Sequence, residues 1–103
     1  MPSYLVQAKY TSATLASFVK QPTDRSQILK AVVAKLGGSV EGFWFCFGEY
    51  DVVGVVTLPD NISAAALSIG IGATGVFQDG KGTPLLSVEE DIAAMTKAGL
   101  LSS

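Results

Sequence analysis

Two apolar runs lie back to back in the middle of this chain, Val40–Phe47 and Tyr50–Leu58, with only Gly48-Glu49 between them. Both are rich in aromatic or β-branched side chains, which favour a pleated strand. Glycine at the first position of a two-residue connection suits a type II′ turn. The pair therefore reads as a β-hairpin with a fixed register. Phe47 faces Tyr50, Phe45 faces Val52 and Phe43 faces Gly54 on one side of the sheet, while Cys46 faces Asp51 and Trp44 faces Val53 on the other. A hairpin that is apolar on both faces constrains everything around it. One face can be covered by the chain's own helices, but a one-sided α+β sheet leaves the other exposed. An exposed face of that composition marks an interface, so the sequence predicts self-association as a homodimer or higher homo-oligomer.

The flanking segments supply the helices. Ser3 to Tyr10 alternates, with Tyr4, Val6, Ala8 and Tyr10 on one face and Leu5, Gln7 and Lys9 on the other, and reads as a strand. Thr11 to Lys20 predicts a short helix with Leu15, Phe18 and Val19 as its apolar side, ended near Pro22. Asp24 and Gln27 have capping-box spacing ahead of the stripe Ile28, Leu29, Val32, Val33 and Leu36, and Gly37 closes that helix. After Pro59, Asp60 or Asn61 caps an alanine-rich helix to about Ile69, followed by a glycine-rich stretch from Gly70 to Gly82. Thr83 to Leu86 reads as a short last strand, with further pairing at Val76-Phe77. Ser87 and Glu90 open a terminal helix through a second capping box. The order is β-α-β-β-α-β plus a helix, a ferredoxin-like sandwich with helices on one face of an antiparallel sheet.

Composition closes off most chemistry. At 103 residues the chain fits one domain, residues 1–103. Its 49 % hydrophobic and 16 % charged residues exclude a disordered chain. Histidine is absent and Cys46 is the only cysteine. Ser-His and Cys-His nucleophile pairs, imidazole metal sites and intrachain disulfides are therefore unavailable, and no metal or cofactor is expected. The 7 basic residues are scattered and the net charge is −2, which leaves no nucleic-acid footprint. The uncharged run Asn61–Gln78 is too rich in Ser, Thr, Gly and Ala for a membrane span, and Met1-Pro2-Ser3-Tyr4-Leu5 does not read as a signal peptide. A soluble, cytoplasmic protein with no membrane partner is the expectation.

Two phosphate-binding patterns fail on context. Gly70-Ile71-Gly72-Ala73-Thr74-Gly75 matches G-x-G-x-x-G but ends a helix instead of opening one. Gly75 to Gly82 contains Gly-x-x-x-x-Gly-Lys, followed by Gly82 where Ser or Thr must hold magnesium. The aromatics Phe43, Trp44, Phe45 and Phe47 lack the basic neighbours of a base-stacking platform and read as core or interface. Asp51 opens an otherwise apolar strand, so its carboxylate needs water or a hydrogen-bond partner. The turn amides are the expected partner.

Leu36-Gly37-Gly38, Gly42-Phe43-Trp44 and Phe47-Gly48-Glu49-Tyr50-Asp51-Val52-Val53 together resemble the GYD domain family. The match continues through Pro59-Asp60, Ala64-Ala65-Ala66-Leu67 and Ser87-Val88-Glu89-Glu90, over nearly the whole chain. The resemblance implies a small bacterial protein of the dimeric α/β barrel type and implies no activity. Gly48, Tyr50 and Asp51 are its structural signature. The chain departs from it at Gly75–Gly82, where many members have a short connection. Related dimeric barrels often hold a small aromatic or quinone-like ligand between sheet and helices, and some act there as cofactor-independent oxygenases or isomerases. By that analogy Tyr50, Asp51, Trp44, Lys9 and Tyr4 are the candidate ligand-binding residues. The competing expectation is a structural or regulatory module without catalysis.

Overall fold

The alternating segment at the start of the chain becomes the centre of the sheet. In the computed structural model, which describes residues 1–102, the strands are β1 (Ser3–Tyr10), β2 (Ser39–Phe45), β3 (Val52–Thr57) and β4 (Phe77–Leu85). Helices α1 (Ser12–Lys20) and α2 (Ser26–Lys35) connect β1 to β2, and α3 (Asn61–Ala73) connects β3 to β4. Helix α4 (Val88–Ala98) and a single 3-10 turn (Gly99–Ser102) follow. The strand order is β2-β3-β1-β4, antiparallel throughout, so β3 lies between β1 and β2 as a split β-α-β arrangement requires. Among the described residues no helix is long and apolar enough to cross a membrane.

Alternation decides which face meets the helices. Val52, Gly54 and Val56 point inward and are buried, while Val53, Val55 and Thr57 are half-exposed on the opposite face. The core joins Tyr4, Val33, Val56, Leu58 and Leu67, with Leu29 and Val32 from α2, Leu36 at its C-cap, and Ala64 and Ile71 from α3 packed against it. Burying a side chain of this size contributes about 1.5–3 kcal/mol. Ile28 and Val19, expected on apolar helix faces, are exposed, as is Leu15, and only Phe18 of the α1 stripe is half-buried. Helix α1 follows β1 at once and reaches the sheet near its end only.

The hairpin register holds at Phe43, Phe45 and Trp44, which pair with Gly54, Val52 and Val53. The tight turn does not. The last hairpin hydrogen bond runs from Cys46 N–H to the Asp51 carbonyl at 2.8 Å, so Phe47-Gly48-Glu49-Tyr50 forms a four-residue loop. Phe47 is 97 % exposed there and does not pair with Tyr50. Gly48 has φ +122°, so the expected positive φ is present without the two-residue turn. At the other end of β2 a bulge at Glu41 resets the phase, turning Val40 toward the core beside Val56. The Glu41 carboxylate accepts from the Ser39 and Thr57 hydroxyls at 2.8 and 3.2 Å, which fixes the bulge.

Three other boundaries move. The Asp24 carboxylate accepts from the Ser26 N–H and hydroxyl, so the turn before α2 is an Asx turn and the expected capping box is absent. Helix α3 runs four residues past Ile69, through Gly70 and Gly72, because its apolar residues Ala64, Leu67 and Ile71 continue to find the sheet. Strand β4 begins at Phe77, so the second half of the expected glycine loop is an edge strand along β1. Asp60 caps α3, Gly37 closes α2 at φ +82°, and the Ser87–Glu90 capping box opens α4, all as expected.

Candidate functional site

Side-chain size along the inward face of the sheet explains where space is left. Antiparallel pairing lines up four inward positions per row. One row holds Pro84, Tyr4, Val56 and Val40, and large side chains fill it. The next holds Gly82, Val6, Gly54 and Phe43, and the third holds Gly80, Ala8, Val52 and Phe45. Four of those eight positions are glycine or alanine. Above them α2 contributes Leu29 and Val32, and α3 contributes Leu67 and Ile71. A cavity of about 780 Å3 lies between these two layers. Its lining is mainly apolar and its size falls in the range of about 300–1,000 Å3 typical of small-molecule sites.

The glycines on its floor are not there for backbone reasons. Gly80 and Gly82 have ordinary φ, and a Cβ added to them would meet only Gln7 O at 3.6 Å and Ser68 Oγ at 3.9 Å. Gly54 is tighter, with Gly42 O at 3.2 Å and the Phe43 ring at 3.3 Å from the same point. Small residues at Gly80 and Gly82 thus leave space that the fold could have filled.

One end of the cavity is aromatic. Tyr10, at the end of β1, is 4 % exposed, stacks on Phe77 at 4.7 Å and meets Phe18 edge-on at 5.1 Å. The Arg25 guanidinium sits over the rings of Tyr10, Phe18 and Phe45, at 5.0, 4.4 and 4.2 Å from their centroids. Burial pushes the Tyr10 phenol above the ordinary tyrosine value, against the opposing pull of Arg25. The Gln78 amide donates to the Tyr10 carbonyl at 3.0 Å and closes the strand end.

The sequence-derived candidates do not form one site. Tyr4 belongs to the core, its hydroxyl donating to Asn61 Oδ1 at 2.7 Å beside a smaller recess of about 300 Å3. Lys9, Asp51 and Trp44 lie on the face of the sheet away from the helices. Lys9 Nζ is 3.9 Å from Asp51 Oδ1, a pair with a third of the lysine exposed and of little energetic consequence. The other Asp51 oxygen accepts from the Tyr10 N–H at 3.0 Å, while the Asp51 N–H donates to the Ala8 carbonyl at 2.9 Å. Asp51 thus ends the β1–β3 ladder with its side chain; it bonds the strand amide of Tyr10 and not the turn amides. The Trp44 ring lies back over Gly42, where a Cβ would collide with it. Tyr50, in the loop, has its phenol held up by partial desolvation first, then by Asp79 and Glu49. None of the five lines the 780 Å3 cavity.

Sequence reasoning passed over Arg25, Gly80 and Gly82. Arg25 stands between Pro22 and a helix and carries no local pattern. The glycines do carry one, since Gly80 and Gly82 alternate with Lys81 and Thr83, as a strand with a small inward face would. Among the described residues no group of acidic or cysteine side chains gathers to hold a metal ion.

Comparison with known proteins gives a family and a fold. The GYD domain model matches residues 4–95. A crystal structure of FFRP-DM1 superposes with a TM-score of 0.55 at 11 % identity, covering 84 % of this chain and 100 % of that one. That likeness speaks for the ferredoxin-like fold alone. No curated protein shows significant similarity to the sequence.

Proposed function

The chain belongs to the GYD domain family, and we propose that it is a small-molecule-binding domain that works as a homo-oligomer. The cavity carries the reading: about 780 Å3 of space, apolar, between two layers of a 103-residue fold. Protein interiors are otherwise close-packed, and an open apolar cleft of this size leaves its lining facing water unless something occupies it. Arg25 and Tyr10 are the titratable side chains aimed into it, and no carboxylate base joins them among the described residues. That set favours binding over acid–base catalysis, with a cofactor-independent enzyme as the alternative reading.

The binding test uses N-phenyl-1-naphthylamine, a neutral apolar fluorophore. Saturable binding is expected for the natural sequence and its loss in a Gly80→Val/Gly82→Val variant of unchanged melting temperature. Equal binding by both proteins, or none by either, contradicts the reading.

Self-association is supported by the opposite face. Leu5, Val53 and Val55 are half-exposed there beside Trp44, which is 57 % exposed. Helix α4 adds an exposed stripe of Val88, Ile92 and Met95 and buries none of its residues. Light scattering during gel filtration should give a mass above the 10.7 kDa of one chain at micromolar concentration. A Val55→Lys variant should shift it toward one chain. A monomeric natural protein would overturn this part.

A further inference from the structure

Arg25 gives the cavity a chemical preference. Its side chain is half-buried and makes no ion pair among the described residues. The neighbouring carboxylate, Asp24, is turned away onto Ser26. Three aromatic faces surround the guanidinium at 4.2–5.0 Å. They satisfy part of its charge through their quadrupoles but offer no acceptor for its N–H groups beyond the Tyr10 hydroxyl. Asp79 and Lys81 border the same cavity, but their register opposite Lys9 and Gln7 places them on the outward-facing positions of the sheet. A lone guanidinium at the wall of an apolar space is a receptor for a planar anion, and a carboxylate matches its fork.

Resting on the binding reading above, we infer that the ligand is an apolar carboxylate whose head group is received by Arg25 and the Tyr10 hydroxyl, with its body over Ala8, Gly80 and Gly82. Tyr10 keeps its proton at neutral pH, because burial holds the phenol above its usual range, and it donates to the same head group. Arg25 has no side-chain role in starting α2, although it occupies the N-cap position. Its replacement therefore leaves the helix start intact.

A matched series tests this: 2-naphthoate, naphthalene-2-methanol and naphthalene-2-methylammonium, titrated by calorimetry into the natural protein, Arg25→Gln, Arg25→Met and Tyr10→Phe. The naphthoate should bind about tenfold or more tighter than the alcohol, the scale of one charge-assisted hydrogen-bonded contact. The ammonium should bind weakest. Both Arg25 variants should lose the preference, so that naphthoate and alcohol bind alike to each, and Tyr10→Phe should lose a smaller part of it. Equal binding of naphthoate and alcohol by the natural protein, or a preference that survives both Arg25 variants, overturns the inference and leaves the cavity reading standing. No binding of any of the three overturns both.

Discussion

Tyr4 and Tyr10 sit six residues apart on the same face of the same strand, each with under a tenth of its surface exposed, yet the surroundings differ completely. Around Tyr4 the inward positions carry Val56 and Val40, Leu58 and Val33 are fully buried, and only a recess of about 300 Å3 is left. Toward Tyr10 the inward positions shrink to Ala8, Gly80 and Gly82, and the space stays open. One strand thus serves a packed half and a hollow half, and residue size alone separates them. The packed half holds the domain together, which lets the hollow half leave its potential contacts unmade.

The sharpest test of that division is a truncation on each side. Leu58→Ala, in the packed half, should cost about 2–5 kcal/mol, as for other buried leucines, read by denaturant unfolding. At the far end of the hollow half, Asp51→Ala leaves the Tyr10 N–H without its acceptor and should cost about 1–3 kcal/mol. Asp51→Asn, with an amide oxygen in place, should keep most of the stability. If Asp51→Ala melts with the natural protein, that hydrogen bond does not tie the hollow half down.

Gly48→Val should also cost about 1–3 kcal/mol. No atom lies within 4 Å of a Cβ there, so the positive φ is the whole cause. Gly80→Val should change stability by under about 1 kcal/mol, since valine suits a strand and its Cβ has room. A large loss would mean that the glycine serves the backbone and that the hollow is incidental.

Smallest is an alkaline effect. The folded pKa of Tyr10 lies above its unfolded value of about 10. Its contribution to stability is therefore complete below that pH and lost as the pH rises through the folded value. Unfolding curves set beside phenolate absorbance should show this decline, and Tyr10→Phe should reduce it, leaving the part that belongs to Tyr50.

Much of the fold was legible because alternation and capping are local. Ser3–Tyr10, Asp60 and the Ser87–Glu90 box each follow from a few neighbouring residues. The hairpin register was legible at Phe43–Phe45, but the turn was not. Its loop is set by where Asp51 is needed to finish the β1 ladder, a contact 41 positions away in sequence. The site was the least legible part. Glycine reads as loop wherever it clusters, and the strand status of Gly80 and Gly82 depends on pairing with Ala8 and Val6. Arg25 owes its position to Tyr10, Phe18 and Phe45, which come from three different elements. Of the candidates drawn from the barrel analogy, Tyr4 lies in the core, while Lys9, Trp44, Tyr50 and Asp51 cluster around the hairpin and the outer face, where only register decides which way each points.

On the proposed function, the hollow half, and not the outer face of the sheet, receives a small molecule. Backbone amide shifts of the isotope-labelled protein, followed during titration with N-phenyl-1-naphthylamine, test it most directly. The largest changes are expected at Ala8, Gly54, Gly80, Gly82 and Ile71, with Leu58 and Val33 nearly still. Changes confined to Leu5, Trp44, Val53 and Val55, or no saturable change anywhere, would contradict it.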